Sequence, residues 1–120
     1  HFDMSSKKYP WLYFAGQITG VEGYTESASS GLYVAYQLLR KLKGLDVLEW
    51  PKETTIGALV NYVMTADRPA PSNINMGLLP PVTLSKEQRR DRKNIKKHKK
   101  KLVSERQRLV FDQWKKEYQC

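Results

Sequence analysis

Three glycines, Gly16, Gly20 and Gly23, punctuate the stretch FAGQITGVEGYTESASSGL at residues 14–32, between an apolar run and a helical pattern. Glycine admits a ligand close to the backbone. A helix that starts just beyond offers unpaired N–H groups and a partial positive charge. A strand, a glycine turn and a helix start therefore suit an anion or the electron-rich edge of a cofactor. A plain tight turn remains the alternative. Gly23 is the expected N-cap, and Glu26 then occupies the third helical position, where a carboxylate suits the dipole. The spacing is four then three, so this is not the dinucleotide fingerprint G-x-G-x-x-G.

Other residues of chemical type carry less. Cys120 is the sole cysteine and is terminal, which reads as a spare exposed thiol and excludes a disulfide framework or a thiolate metal site; no metal is expected. His98 stands among lysines and reads as a solvated surface histidine. Tyr33, Tyr36 and Tyr62 fall at helical positions and read as packing. Asp67 has two readings, a pocket-facing carboxylate or a loop cap. For Asn73 and Asn75, turn bonds weigh more than ligand contacts.

The elements that must position the turn follow from patterning. Trp11–Ala15 is aromatic, apolar and bounded by Pro10 and Gly16, as in a short buried strand. From about Tyr24 to Lys43, Ala28, Gly31, Leu32, Ala35, Leu38, Leu39 and Leu42 recur at spacings of three and four, and Gly44 gives a stop. Small Ser27, Ala28, Ser30 and Gly31 would let this helix lie tightly against a sheet or a flat ligand. Asp46–Trp50 is a short strand or an extended link. Pro51–Thr55 reads as a helix entry with a threonine N-cap and Ile56–Met64 as a compact, buried helix, and Pro69, Pro71, Pro80 and Pro81 mark an irregular loop. A last helix runs from an N-cap at Ser85 to Tyr118, with its apolar stripe dense after Leu102, so its second half packs on a body.

Charge is unevenly spread. Residues 1–85 hold seven Lys/Arg and seven Asp/Glu, whereas residues 86–120 hold fourteen against five, which is the whole formal net charge of +9. Lys96, Lys97, Lys100 and Lys101 crowd into barely two turns of the last helix; this suits RNA phosphates, or simply solvation. No charged-then-apolar leader opens the sequence and no apolar run nears the roughly 20 residues of a membrane helix. The expectation is a soluble cytoplasmic protein without a membrane partner.

The glycine stretch, with WPKETTIGALVNYVMTAD at residues 50–67 and NINMGLLPP at residues 73–81, closely resembles the C-terminal flavin segment of the folate- and FAD-dependent tRNA (uracil-5-)-methyltransferases, relatives of the glucose-inhibited-division protein A type flavoproteins. The likeness covers roughly residues 9–84. Ser29 and Met76 depart from it conservatively. It implies an α/β fragment, mostly α: the terminal strand and flavin-facing helix of a glutathione-reductase-type FAD-binding domain, then a C-terminal helical extension. The implied division is 1–49 for the end of the FAD-binding domain, 50–84 for a short helix and proline-rich loop, and 85–120 for the basic helix.

The resemblance also implies FAD as cofactor, methylenetetrahydrofolate and NAD(P)H as co-substrates, and C5 of a tRNA uridine as the target. Gly16 and Gln17 would meet the flavin, and Gly20, Val21, Glu22 and Gly23 would line its approach. The thiolate that activates the base in that family has no counterpart here apart from terminal Cys120, and the G-x-G-x-x-G of the pyrophosphate site is absent. The chain therefore reads as part of a larger polypeptide, with no catalytic residue of its own, inactive by itself and partnered by the rest of the same protein. Alternatives are a stand-alone basic RNA-binding module, and the equivalent segment of an rRNA uridine methyltransferase or of the wobble-uridine carboxymethylaminomethyl-modifying enzyme.

Overall fold

The computed structural model describes residues 1–67 and 70–118. It is mostly helical: α1 (Tyr24–Leu42), α2 (Thr55–Thr65), α3 (Lys86–Arg90) and α4 (Ile95–Tyr118), with 3-10 turns at Gly16–Thr19 and Arg92–Asn94. No helix among the described residues is long and apolar enough to cross a membrane.

The expected strand at Trp11–Ala15 does not form. Among the described residues, β pairing is limited to two isolated bridges, Ser5 with Tyr13 and Val21 with Ser72. A strand needs a neighbour for its N–H and C=O groups, and here the pairing stays local: Ser6 N donates to Leu12 O and Phe14 N to Met4 O. Ala15 still holds extended angles, φ −144° and ψ 160°.

The segment 45–50 is an extended link, because Gln37 takes the place of a partner strand. Its buried amide donates to Leu48 O at 2.6 Å and accepts from Leu48 N at 3.1 Å.

Helix α1 starts at Gly23, whose φ of +86° only glycine holds without strain. It stops where Lys43 and Gly44 fold back onto the Arg40 and Lys41 carbonyls. Its inward face is Ser30, Tyr33 and Gln37, all buried. The leucine stripe points the other way: Leu32 is 60% exposed and Leu42 77%, with Ala28, Ala35, Leu38 and Leu39 also exposed. Periodicity marks the more apolar stripe of a helix, and here that stripe is left largely exposed among the described residues.

Helix α2 is capped as expected by a threonine, Thr54, whose hydroxyl accepts from Gly57 N at 3.1 Å. Gly57 lies under the Pro51 and Trp50 carbonyls, where a Cβ would collide. Val60 packs with Tyr33 and Met4, and Ala58 with Leu79 and Val103.

The last helix is interrupted, contrary to the expectation of one run. Ser85 caps α3 in a reciprocal box with Gln88. Asp91, at φ −77° and ψ 69°, then breaks the helix, and its carboxylate takes the Asn94 amide and the His98 ring. The second half of α4 packs as expected: Trp114 meets Trp50, Tyr36 and Phe111, and Arg106 ties the Pro80 and Pro81 carbonyls to the helix.

Two measurements test this packing. Burial raises the Tyr33 phenol to about 12 from its ordinary 10.0, while its hydroxyl donates to Phe2 O at 2.8 Å. Below pH 10 both folded and unfolded chains keep this proton. Above it the unfolded chain releases the proton first, so stability falls as pH rises toward about 12. Tyr33→Phe should flatten that decline in denaturant melts, after lowering stability at neutral pH by roughly 1 kcal/mol for the missing bond. At Gly23 an added Cβ would press on the Glu26 carboxylate and stand 2.8 Å from Asn73 Oδ1. Gly23→Ala should therefore cost about 1–3 kcal/mol in urea unfolding.

Candidate functional site

The turn before α1 is built from backbone. Gly16, at φ +75°, donates to the buried Ser30 hydroxyl at 2.7 Å, and Thr19 Oγ1 donates back to Gly16 O at 2.7 Å. Gly20 N closes onto Gln17 O at 3.0 Å, with Gly20 itself at φ +92°. The chain then pairs with the proline-rich loop on both sides of Val21: Ser72 N donates to Gly20 O and Glu22 N to Ser72 O.

The six candidate cofactor residues thus lie along one turn but do not share one role. Val21 is buried as a whole residue, 2% exposed, so it shapes the turn from inside and offers almost no surface to a ligand. The N–H of Glu22 is already given to Ser72 O at 2.9 Å and is not free for a ligand. Gln17 and Glu22 are exposed. Around Gly20 no atom lies within 4 Å of a Cβ position. Open space therefore lies beside Gly20, with the exposed Gln17 side chain nearby in the same turn, and the edge of a flat ligand such as a flavin fits there.

The positive end of α1 has a resident partner. Gly23 has no side chain to cap it, and Glu26 lies over the first turn with Oε1 accepting from Ile74 N at 3.2 Å. Sequence patterning places Glu26 but not what it binds. It also misses Ser72 and Arg106, since a bond spanning 48 residues, such as Glu26 to Ile74, leaves no local pattern. Asn75 does the turn work expected of it, accepting from Gly77 N at 2.8 Å. Asp67 is exposed, and Tyr62 binds the backbone of Ala70 through its hydroxyl. Pro69 and Cys120 lie outside the described residues.

Two small clefts flank α2. One of about 190 Å³ is lined by Thr25, Glu26, Ser29, Ile56, Leu59 and Ile74; the other, about 240 Å³, lies between Trp50, Thr54, Arg108 and Phe111. Neither is lined by residues 16–23. Among the described residues no three His, Cys, Asp or Glu converge as a metal site would require.

Lys96, Lys97, Lys100 and Lys101 are all exposed on the first turns of α4; among the described residues only Lys101 of these four has a carboxylate nearby, Glu105 at 3.9 Å. His98 is not the solvated residue expected: it is partly buried and 3.0 Å from Asp91. The His98 ring, and after it the Asn94 amide, hold the Asp91 carboxyl below the usual carboxylate range. This joint orients the lysine-bearing turns.

The family model described as glucose inhibited division protein A matches residues 1–46. Methylenetetrahydrofolate–tRNA-(uracil-5-)-methyltransferase of Thermotoga maritima is 55% identical over 78 residues, 63% of this chain and 18% of the relative. The enzymes of the same name from Natranaerobius thermophilus and Bdellovibrio bacteriovorus are 43% and 44% identical, over 90% and 93% of this chain and 24% of each relative. The chain thus spans about a quarter or less of the length of these curated relatives. With its glycine turn and basic helix included in the longer matches, the chain belongs, as a segment, to the methylenetetrahydrofolate–tRNA-(uracil-5-)-methyltransferase family, related to the glucose-inhibited-division protein A type flavoproteins.

Proposed function

We propose that this chain is the C-terminal part of a cytoplasmic flavoprotein that methylates C5 of a uridine in the tRNA T-loop, giving ribothymidine, with methylenetetrahydrofolate as carbon donor and NAD(P)H as reductant. The relatives' names supply the reaction. The observation that carries the reading on this chain is the apolar ridge of α1, exposed from Ala28 to Leu42 and adjoining the glycine turn. A lone protein would not leave this stripe to water. The rest of a longer polypeptide would cover it, and would place the open face of the turn against FAD. Gly16, Gln17 and Gly20 would hold the flavin edge, with Val21, Glu22 and Gly23 shaping the backbone beside it. Bound FAD would supply the transfer and reduction of the one-carbon unit. The residues of this chain would position and shield it, while the pyrophosphate site and the base-activating thiolate would come from the remaining polypeptide.

Gly31 tests the ridge. A Cβ there meets no atom within 4 Å, so its lack of a side chain serves no contact inside this chain. In the chain by itself, Gly31→Ala should raise stability by about 1 kcal/mol, the ordinary gain from removing a mid-helix glycine. In the complete polypeptide, Gly31→Leu should lower the flavin retained through purification severalfold. Full flavin retention by that variant would contradict a covered ridge.

The lysines of α4 would meet RNA phosphates without reading sequence. Replacing Lys96, Lys97, Lys100 and Lys101 with glutamine should weaken binding to every RNA tested. It should also flatten the salt dependence by about 0.7–0.9 in log–log slope for each phosphate no longer neutralised. An unchanged slope would assign this charge to solubility.

A further inference from the structure

The loop that joins the Ser5–Tyr13 bridge carries a surface the cofactor site does not use. Trp11 is 74% exposed and Tyr9 43%, and their rings sit together with centroids 5.7 Å apart at 46°. The pair is held in place rather than frayed. Ser6 Oγ accepts from Lys8 N at 3.2 Å and Tyr9 N at 3.1 Å, Leu12 N donates to Tyr9 O, and Ser6 N to Leu12 O. Lys41, at the end of α1, donates to Pro10 O at 3.0 Å from the side.

One cation lies over the Tyr9 ring and others border the same loop. Lys8 Nζ lies 5.3 Å from the Tyr9 ring centroid, Lys7 is exposed beside it, and Lys41 Nζ lies 5.3 Å from the Tyr13 ring. Residues 4–21 contain no Asp or Glu, and the nearby Asp3 carboxylate is buried and bonded to Ser5. This differs from the α1 ridge, which is leucine and alanine. Lysine is depleted from protein–protein contacts, whereas exposed aromatics among lysines match single-stranded nucleic acid: the rings stack on bases of any identity and the cations follow the phosphates.

We propose that Tyr9 and Trp11, rimmed by Lys7, Lys8 and Lys41, form a stacking platform for an unpaired base of the RNA. This rests on RNA being the substrate, and it adds a second contact, separate in the sequence from α4 and selective for unpaired over paired nucleotides. The test uses the full chain with two RNAs of equal length, a stem-loop and a perfect duplex. Trp11→Ala should weaken binding of the stem-loop on the order of 10-fold and leave the duplex unchanged, with Trp11→Phe retaining most of the affinity. Stem-loop binding should also quench tryptophan fluorescence in the wild type but not in Trp11→Phe, since the other tryptophans, Trp50 and Trp114, lie among packed rings. Far-ultraviolet circular dichroism confirms that each variant is folded. Equal weakening of both RNAs, or none, would overturn the platform and leave the family assignment and the α4 lysines standing. Failure of the wild-type chain to bind either RNA would remove both RNA contacts together.

Discussion

The Trp50 indole stands between the helices, and the rest of the arrangement depends on it. Its ring lies 5.8 Å from Tyr33, 6.0 Å from Tyr36, 5.8 Å from Phe111 and 5.4 Å from Trp114. Aromatic groups that meet edge-on and tilted contribute beyond the area they bury. Here they join α1 to α4 across a segment that is otherwise only extended backbone. Because this junction takes the tyrosine face of α1, the leucine face is left outward. The same junction anchors the far half of α4 and leaves its lysine half clear of the body.

How far the sequence foretells this depends on which forces are local. The N-caps at Gly23, Thr54 and Ser85 and the stop at Gly44 are legible, since a cap involves residues three or four apart. The period of α1 is legible too, but its orientation is not. Ser30, Tyr33 and Gln37 look like the poorer core face, yet each is bonded or packed: Ser30 to Gly16, Tyr33 to Phe2, Gln37 to Leu48. The strand at Trp11–Ala15 fails for a related reason. Strand character is a statement about neighbours, and among the described residues this segment pairs only through the Ser5–Tyr13 bridge.

The candidate site divides in the same way. The glycine turn can be found because positive φ leaves its mark in composition, and Gly16, Gly20 and Gly23 all adopt it. What the residues around those glycines bond to cannot be found, because Ser72, which takes the Glu22 N–H, and Ile74, whose N–H goes to the Glu26 carboxylate, arrive from a distant loop. The break at Asp91 is hidden within a strongly helical composition; it shows only through the side-chain bonds that Asp91 makes to Asn94 and His98. A carboxylate that caps from inside a charged run looks, in sequence, like one more solvated charge.

If these residues complete a folate-dependent RNA methyltransferase, carbon transfer must depend on them. The complete polypeptide, and a version ending just before residue 1 of this segment, are each incubated with isotopically labelled methylenetetrahydrofolate, NAD(P)H, FAD and unmodified tRNA, and the nucleosides are then analysed by mass spectrometry. Labelled 5-methyluridine is expected from the complete protein and none from the shortened one, with labelled product restored only when the segment is present. Equal labelling by both, or an unlabelled tRNA from the complete protein, would show that this segment does not serve that reaction.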